Sequence, residues 1–221
     1  MSKTVLLTGA SRGIGKACAQ LFVAHGYNVL SPSRSEMNLE SQASIEAYVS
    51  SIKLPIDVLV NNAGVNPLSD IGSLDFKQAR ELMDTNFWAP VILIDLIAPL
   101  MKSQGYGRIV NISSIWSSVS KKGRSMYAAS KAAINTFTRS AALEYAPYNV
   151  LVNAVAPGYI NTELTKINNN AEQIELIKKN LPVNRLAEPA EIAEVIYFLS
   201  SEKNTFITGQ TIFADGGYSI I

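Results

Sequence analysis

The most constraining stretch is the first one: an apolar run from Thr4 to Thr8, a loop Gly9-Ala10-Ser11-Arg12-Gly13, and helical periodicity from Ile14 to His25. The helix carries Ile14, Ala17, Cys18, Leu21 and Phe22 on one face, and Gly26 falls where a left-handed C-cap belongs. Glycines in such a loop permit a tight turn and close approach of backbone to a pyrophosphate. The helix start adds free N–H groups and a partial positive charge. Gly9, Ser11, Arg12, Gly13, Ile14 and Gly15 therefore form a candidate phosphate cradle, against the plainer reading of a turn without a ligand.

Five further strands follow: Asn28 to Ser31, Val58 to Val60, Arg108 to Ile112, Leu151 to Val155 and Thr211 to Phe213. Helical patterns at 42–52, 75–100, 126–144 and 189–199 separate the later ones. Alternating buried strands and helices predict an α/β fold, a Rossmann-type doubly wound parallel sheet covered on both faces. One spacing is unusual. About six residues separate Ser31 from Met37-Asn38-Leu39, whereas a parallel crossover needs roughly a dozen or more. The usual third strand is thus expected to be missing or vestigial, leaving six strands. With 221 residues, 48% of them apolar, the chain is expected to form a single domain over 1–221.

Composition excludes several classes. The formal net charge is +1 and no long basic run is present, which argues against nucleic acid as a partner. Lys121, Lys122 and Arg124 read as a solvated loop or as a preference for an anionic substrate or carrier. One cysteine and one histidine argue against a zinc site, so no metal is expected. Cys18 reads as a small core residue. The N-terminus lacks a signal-peptide pattern. The apolar run near Ala89 to Leu100 is interrupted by Pro90, Asp95 and Pro99. It reads as too short for a membrane span, and a cytoplasmic protein is expected.

The end of the second strand bears on cofactor choice. A dinucleotide site selective for NAD commonly holds the ribose 2′-OH with an acid there. This chain has Ser31-Pro32-Ser33-Arg34-Ser35 and no acid before Glu36. Arg34 can pair with a 2′-phosphate and Ser33 can hydrogen-bond to it, so NADP(H) is favoured over NAD(H). Glu36 folding back on the ribose would favour NAD(H).

Tyr127-Ala-Ala-Ser-Lys131 opens a helix and places Tyr127 and Lys131 on one face. A tyrosine with its ordinary pKa near 10 is a poor acid or base at neutral pH, and a nearby ammonium lowers it. Ser113 and Ser114 end a buried strand, and Asn61-Asn62-Ala63-Gly64 ends another at the same sheet edge. Asn86, inside an apolar helix, needs a partner and is a candidate to hold a water that relays protons from Lys131. Asn66, Trp116 and Tyr159 are candidate substrate-pocket residues with Ser114; Trp116 reads equally as interface packing. Residues 162–181 read as a polar, mobile lid.

Together these motifs resemble the short-chain dehydrogenase/reductase family over the whole chain. The pattern is closest to 3-oxoacyl-[acyl-carrier-protein] reductases and related oxidoreductases. The resemblance implies a catalytic set of Asn86, Ser114, Tyr127 and Lys131, and hydride transfer between nicotinamide and a carbonyl or alcohol carbon. It also implies cofactor contacts from Pro157, Gly158, Ile160 and Thr162, from Asn61, Asn62, Ala63 and Gly64, and from Tyr127 and Lys131. Asn38 and Leu39 stand where members place an acid and an apolar residue at the adenine. The implied substrate is a small carbonyl or alcohol, with carrier- or CoA-linked forms included, and the implied assembly a homodimer or homotetramer. A non-redox epimerase or dehydratase on the same fold, or a non-catalytic dinucleotide sensor, stand as alternatives.

Overall fold

A computed structural model describes residues 2–220. Strand β1 (Thr4–Leu7) passes through the glycine loop into α1 (Gly13–Ala24) and then β2 (Asn28–Leu30). Helix α2 (Gln42–Ser51) returns the chain to β3 (Val58–Asn61). Helices α3 (Phe76–Met83) and α4 (Ala89–Gln104) lead to β4 (Gly107–Ile112), and α5 (Ser125–Tyr145) to β5 (Val150–Pro157). Helices α6 (Glu163–Asn168), α7 (Ala171–Asn180) and α8 (Pro189–Ser200) precede β6 (Thr211–Ala214).

The six strands are parallel, in the order β2-β1-β3-β4-β5-β6. Side chains alternate across the sheet, and both faces are buried, which is why the strands read as continuous apolar runs. Leu6, Leu59, Ile109 and Val152 face one layer, packed with Leu93, Ile94 and Ile97 of α4. Val5, Leu7, Val58, Val60 and Val110 face the other, packed with Cys18 and Phe22 of α1 and Ile196 of α8.

The third strand of the usual order is absent, as the short spacing predicts. Met37, only 3% exposed, instead drops into the core with Ile45 and Ile56, and Leu39 packs beside it. The segment after β2 therefore pins α2 to the sheet without extending it. From β1 the chain first moves outward to β2 and then crosses back to β3. The C-terminal ends of β1 and β3 thus part at a topological switch point, where open α/β sheets bind ligands.

Two expectations need correction. The predicted helix over 75–100 is interrupted by a π-helical turn, Asp84–Trp88. Pro90, lacking an N–H, is unable to close the ordinary bond to the carbonyl of Asn86, so the ladder is disturbed at that residue. The helical stretch Phe76–Gln104 is also long and apolar enough to cross a membrane by length and composition, contrary to the sequence reading. Half of its most apolar window is buried within the protein, as in a core helix. Residues 162–181, read from the sequence as a polar lid, fold as α6 and α7. Thr162 caps α6, and Asn170 with Gln173 forms a capping box on α7. Ile177 anchors α7 against Leu181 and Leu186.

Candidate active site

The ends of β1 and β3 are stitched together by one threonine. The Thr8 hydroxyl accepts hydrogen bonds from the backbone N–H of Asn62 and of Ala63, both at 3.0 Å. Asn62 returns its amide to the carbonyls of Thr8 and Gly9 at 3.0 and 2.9 Å. Gly9 has φ +70°, and a Cβ there would stand 2.8 Å from the Cα of Ala63. At Gly15 a Cβ would run into the carbonyl of Gly9 and the amide of Asn62. Both glycines are required by close backbone approach. The first turn of α1 has no side-chain cap and no acidic residue, so its N–H groups remain for an anion.

This cradle opens into a cleft of about 370 Å³. Its walls are the glycine loop, the segment 62–65, the end of β4, Tyr127, Lys131, the end of β5 and α6. A second cavity of about 490 Å³ adjoins it, sharing Gly9, Ser11, Ala63, Val65 and Thr85, and ends at Ser33, Arg34, Asn38 and Leu39. The two form one groove across the switch point. An uncapped helix start, glycines that admit close approach, and a polar far end fit a dinucleotide. All the cofactor-contact candidates line this groove except Asn61. Asn61 turns into the sheet and donates to Asn111 Oδ1 at 2.9 Å, and Asn111 donates in turn to Thr138 at 2.9 Å. Its contribution is to lock β3, β4 and α5 together rather than to face a ligand.

Ser114, Tyr127 and Lys131 meet on one wall of the cleft. Lys131 is 4% exposed and donates to the carbonyl of Ile112 at 2.7 Å, with Nζ 5.6 Å from the Tyr127 ring centre. Burial lowers the Lys131 ammonium to about 8. Burial also raises the Tyr127 phenol, opposed by the neighbouring Ser114 hydroxyl and by the positive charge of Arg124. The lowering by Lys131 expected from the sequence is not what sets this balance; desolvation outweighs it, and Arg124 is the cation that counters it.

Asn86 found its partner in the backbone. Its Oδ1 accepts from Val65 N at 2.9 Å, and its Nδ2 donates to Val65 O at 2.8 Å and to Ser130 Oγ at 3.4 Å. The side-chain amide thus holds the loop after β3. A Cβ at Gly64 would lie 3.3 Å from Asn86 Oδ1 and 3.6 Å from Lys131 Nζ, so that loop, the π turn and the lysine converge.

The substrate-pocket candidates separate. Ser114 lines the cleft; Asn66, Trp116 and Tyr159 do not. Trp116 is 7% exposed and packs edge-on against Tyr159 and Tyr218, with ring centres 6.0 and 6.1 Å apart. This is intramolecular packing, neither of the two alternatives weighed from the sequence. Asn66 is buried with its side-chain oxygen unmet among the described residues. Glu163, Leu164 and Thr165 line the cleft from α6, within the stretch read as a lid, although none of the three was singled out as a site residue.

Arg34 pairs with Glu40 at 2.9 Å on the surface. Glu36 folds back to accept from Ser33 N and Ser33 Oγ, both at 2.7 Å, which holds its carboxyl below the usual range. Asn38 Oδ1 accepts from Glu40 N at 3.2 Å. Arg12 bridges from the glycine loop to Glu163 at 3.2 Å.

Known proteins share this fold. A family model described as short chain dehydrogenase matches residues 3–44, and one described as Enoyl-(Acyl carrier protein) reductase matches residues 31–219. The 3-oxoacyl-[acyl-carrier-protein] reductase FabG of Vibrio cholerae is 34% identical over 240 residues, covering 99% of this chain and 98% of that protein. A 4-hydroxyisoleucine dehydrogenase solved with NADH superposes with a TM-score of 0.94 at 28% identity, covering all of both chains. The structure of ElxO with NADP bound does so with 0.93 at 29%, also over all of both chains. The chain therefore belongs to the short-chain dehydrogenase/reductase family, whose members are NAD(P)-dependent oxidoreductases.

Proposed function

We propose that this protein interconverts a carbonyl and an alcohol with NADP(H), using Tyr127 as the general acid and base. The observation that carries the reading is the meeting of buried Ser114 and Lys131 with half-buried Tyr127 on one wall of a groove that fits a dinucleotide. The dinucleotide, when bound, supplies the carbon that gives or takes hydride. Ser114 orients the substrate oxygen toward the phenol. Tyr127 gives its proton to that oxygen during reduction and takes it back during oxidation. Burial keeps the phenol protonated in the free protein, so its proton moves as hydride transfer places negative charge on the substrate oxygen. Lys131, fixed on the Ile112 carbonyl with Nζ 5.6 Å from the Tyr127 ring centre, would hold the ribose hydroxyls of a bound dinucleotide and favour the phenolate. Asn86 holds Val65 and so fixes the loop that forms the opposite wall.

The relative from Vibrio cholerae makes a 3-oxoacyl thioester the first skeleton to assay. Preference for NADP(H) rests on Ser33 and Arg34 at the far end of the groove. The Arg34–Glu40 pair is exposed and of little strength, so Arg34 is readily released to a 2′-phosphate. The groove's length and the reading of Lys131 favour redox turnover over epimerase or sensor roles.

The test is absorbance at 340 nm with NADPH and separately NADH, across a carbonyl panel and the reverse alcohols, with Tyr127→Phe alongside. Turnover that falls by about 10²–10⁴-fold in Tyr127→Phe, with cofactor binding kept within threefold, supports the role. Equal turnover in both proteins would remove Tyr127 from the mechanism.

A further inference from the structure

We propose that Arg124 is the anchor for a carboxylate on the substrate, so that the molecule handled beside Tyr127 is a short oxo or hydroxy acid. The inference rests on the oxidoreductase reading above and adds a substrate class to it.

Arg124 immediately precedes α5 and stands three residues before Tyr127. Its exposure is 6%, yet its guanidinium makes no hydrogen bond to, and has no carboxylate within 4 Å among, the described residues. The acid beside this loop, Asp70, is engaged with Lys122 at 3.3 Å. What Arg124 does touch is aromatic. Its Cζ lies 5.5 Å from the Trp116 ring centre, and its charge is felt by Tyr127 and Tyr159. A cation–π contact is weak beside the charge-assisted hydrogen bonds that an anion would give this guanidinium.

The surroundings reinforce the positive field. Lys121 sits near enough to feel Arg124 and is itself unpaired among the described residues, with Nζ 5.9 Å from the Tyr159 ring centre. The first turn of α5 has no side-chain cap, and the Ser125 hydroxyl is buried without a partner among the described residues. A second cation, an uncapped helix start and an orphan hydroxyl surround the one guanidinium. An anion is the missing partner, and the planar fork of arginine suits a carboxylate.

Position then limits which anion. The Arg124 guanidinium is close enough to the Tyr127 phenol for its charge to act on it. The carboxylate therefore sits within a few bonds of the carbon that reacts beside Tyr127. The phosphate of a pantetheine arm is separated from its thioester by a long linker and does not meet that requirement. The substrate suggested is a 3-oxo or similar acid in free form, not its thioester. In the reduction the oxo carbon gains one hydrogen with its electron pair from the reduced nicotinamide, and its oxygen gains a proton from Tyr127. The oxo group becomes a hydroxyl, the nicotinamide is oxidised, and the carboxylate is unchanged.

The experiment compares acetoacetate, methyl acetoacetate and acetoacetyl-CoA, and levulinate with its methyl ester, in wild type, Arg124→Gln and Arg124→Lys with NADPH. Wild type is expected to favour each acid over its ester by about 100-fold in kcat/KM. Arg124→Gln removes that preference, lowering kcat/KM for each acid by about 100-fold more than for its ester, and Arg124→Lys retains part of it. The melting temperature of Arg124→Gln equals or exceeds that of wild type, which a merely structural arginine would not give. Esters or the thioester turned over by wild type as well as the acids, or equal losses for acid and ester in Arg124→Gln, would overturn the anchor. If nothing in the panel turns over, the oxidoreductase reading has failed for these skeletons, and calorimetric titration of acetoacetate into the NADP-bound protein decides the anchor alone. Binding weakened at least tenfold in Arg124→Gln supports it; equal binding, or none to wild type, overturns it.

Discussion

The two ends of the groove are built by opposite means. At the catalytic end, Asn86 and Lys131 are almost wholly buried, and each is held by backbone partners that leave little freedom. At the adenosine end, Arg34 is 77% exposed at its side chain, and the segment 33–40 is a run of turns held by its own short contacts. The absent strand explains the contrast. The usual third strand would widen the sheet beside this segment; here Met37, with Leu39 packed beside it, ties it to the core. Proton transfer requires atoms fixed to within fractions of an ångström, so that end carries the buried network. Holding a phosphate needs charge more than fixity, and an exposed loop is enough.

The largest effect expected from breaking this contrast comes at Asn86. Asn86→Leu strands the N–H and C=O of Val65, which lies in a partly exposed loop, and removes the contact to Ser130. A loss of about 2 kcal/mol is expected, lowering the melting temperature by about 4–8 °C for a chain of this size. Turnover falls further than stability accounts for, because the wall opposite Tyr127 loosens. Melting curves and saturation kinetics on folded Asn86→Leu check both; unchanged kcat would show that the loop is held by other means.

Lys131 gives a pH signature that the adenosine end lacks. Its native pKa of about 8 lies below its ordinary 10.5. Below pH 8 the lysine is charged in both native and unfolded protein, and the cost of burying that charge is fully present. Between pH 8 and 10.5 the unfolded chain binds more protons than the native one, so this group contributes stability that grows as pH rises. Lys131→Met removes the titration. The melting temperature of Lys131→Met minus that of wild type should therefore fall as pH increases from 8 to 10, whatever its offset at pH 7. A difference that is flat with pH would mean that the ammonium is not desolvated in the free protein.

How far the sequence could be read follows the same division. Six strands, the switch point and the convergence of Ser114, Tyr127 and Lys131 were legible, because strand periodicity and i,i+4 spacing are local properties. The missing strand was legible for a similar reason: six residues do not span a parallel crossover. The partner of Asn86 was not, because Val65 lies 21 residues away and only the fold joins them. Nor was Arg124. Its neighbours Lys121 and Lys122 suggest a solvated loop, and only packing against Trp116 reveals that the third cation of the run is buried. Asn61 misled because its three successors do line the groove, whereas the alternation of a strand turns Asn61 itself inward.

At the adenosine end, Arg34→Ala should lower the NADPH to NADH ratio of kcat/KM by about 10–100-fold, the loss of one charge-assisted phosphate contact. Glu36→Gln should act in the other direction, because the carboxylate fixed on Ser33 lies in the same cavity and repels a 2′-phosphate. Both variants leave the pH profile of turnover unchanged. If Arg34→Ala leaves the ratio as it was, the arginine is only the surface partner of Glu40 that the free protein shows.

The smallest effect expected is at the join between the two ends, where Arg12 meets Glu163 across the mouth of the cleft. Both side chains are 69% exposed, so the pair contributes at most about 0.2–1 kcal/mol and is further weakened by salt. Glu163→Gln should move the melting temperature by no more than a degree or two. Its kinetic consequence is more informative than its thermal one. The pair ties α6 to the glycine loop, and Thr162 at the start of α6 already stands against Gly13, with Cγ2 3.3 Å from where a Cβ there would lie. Releasing Arg12 lets α6 part from the loop more readily and frees a cation beside the phosphates. Cofactor association, followed by stopped-flow fluorescence, should quicken severalfold at low salt and converge with wild type as salt is raised. A change that persists at high salt would place the cause in the packing of α6 rather than in the ion pair.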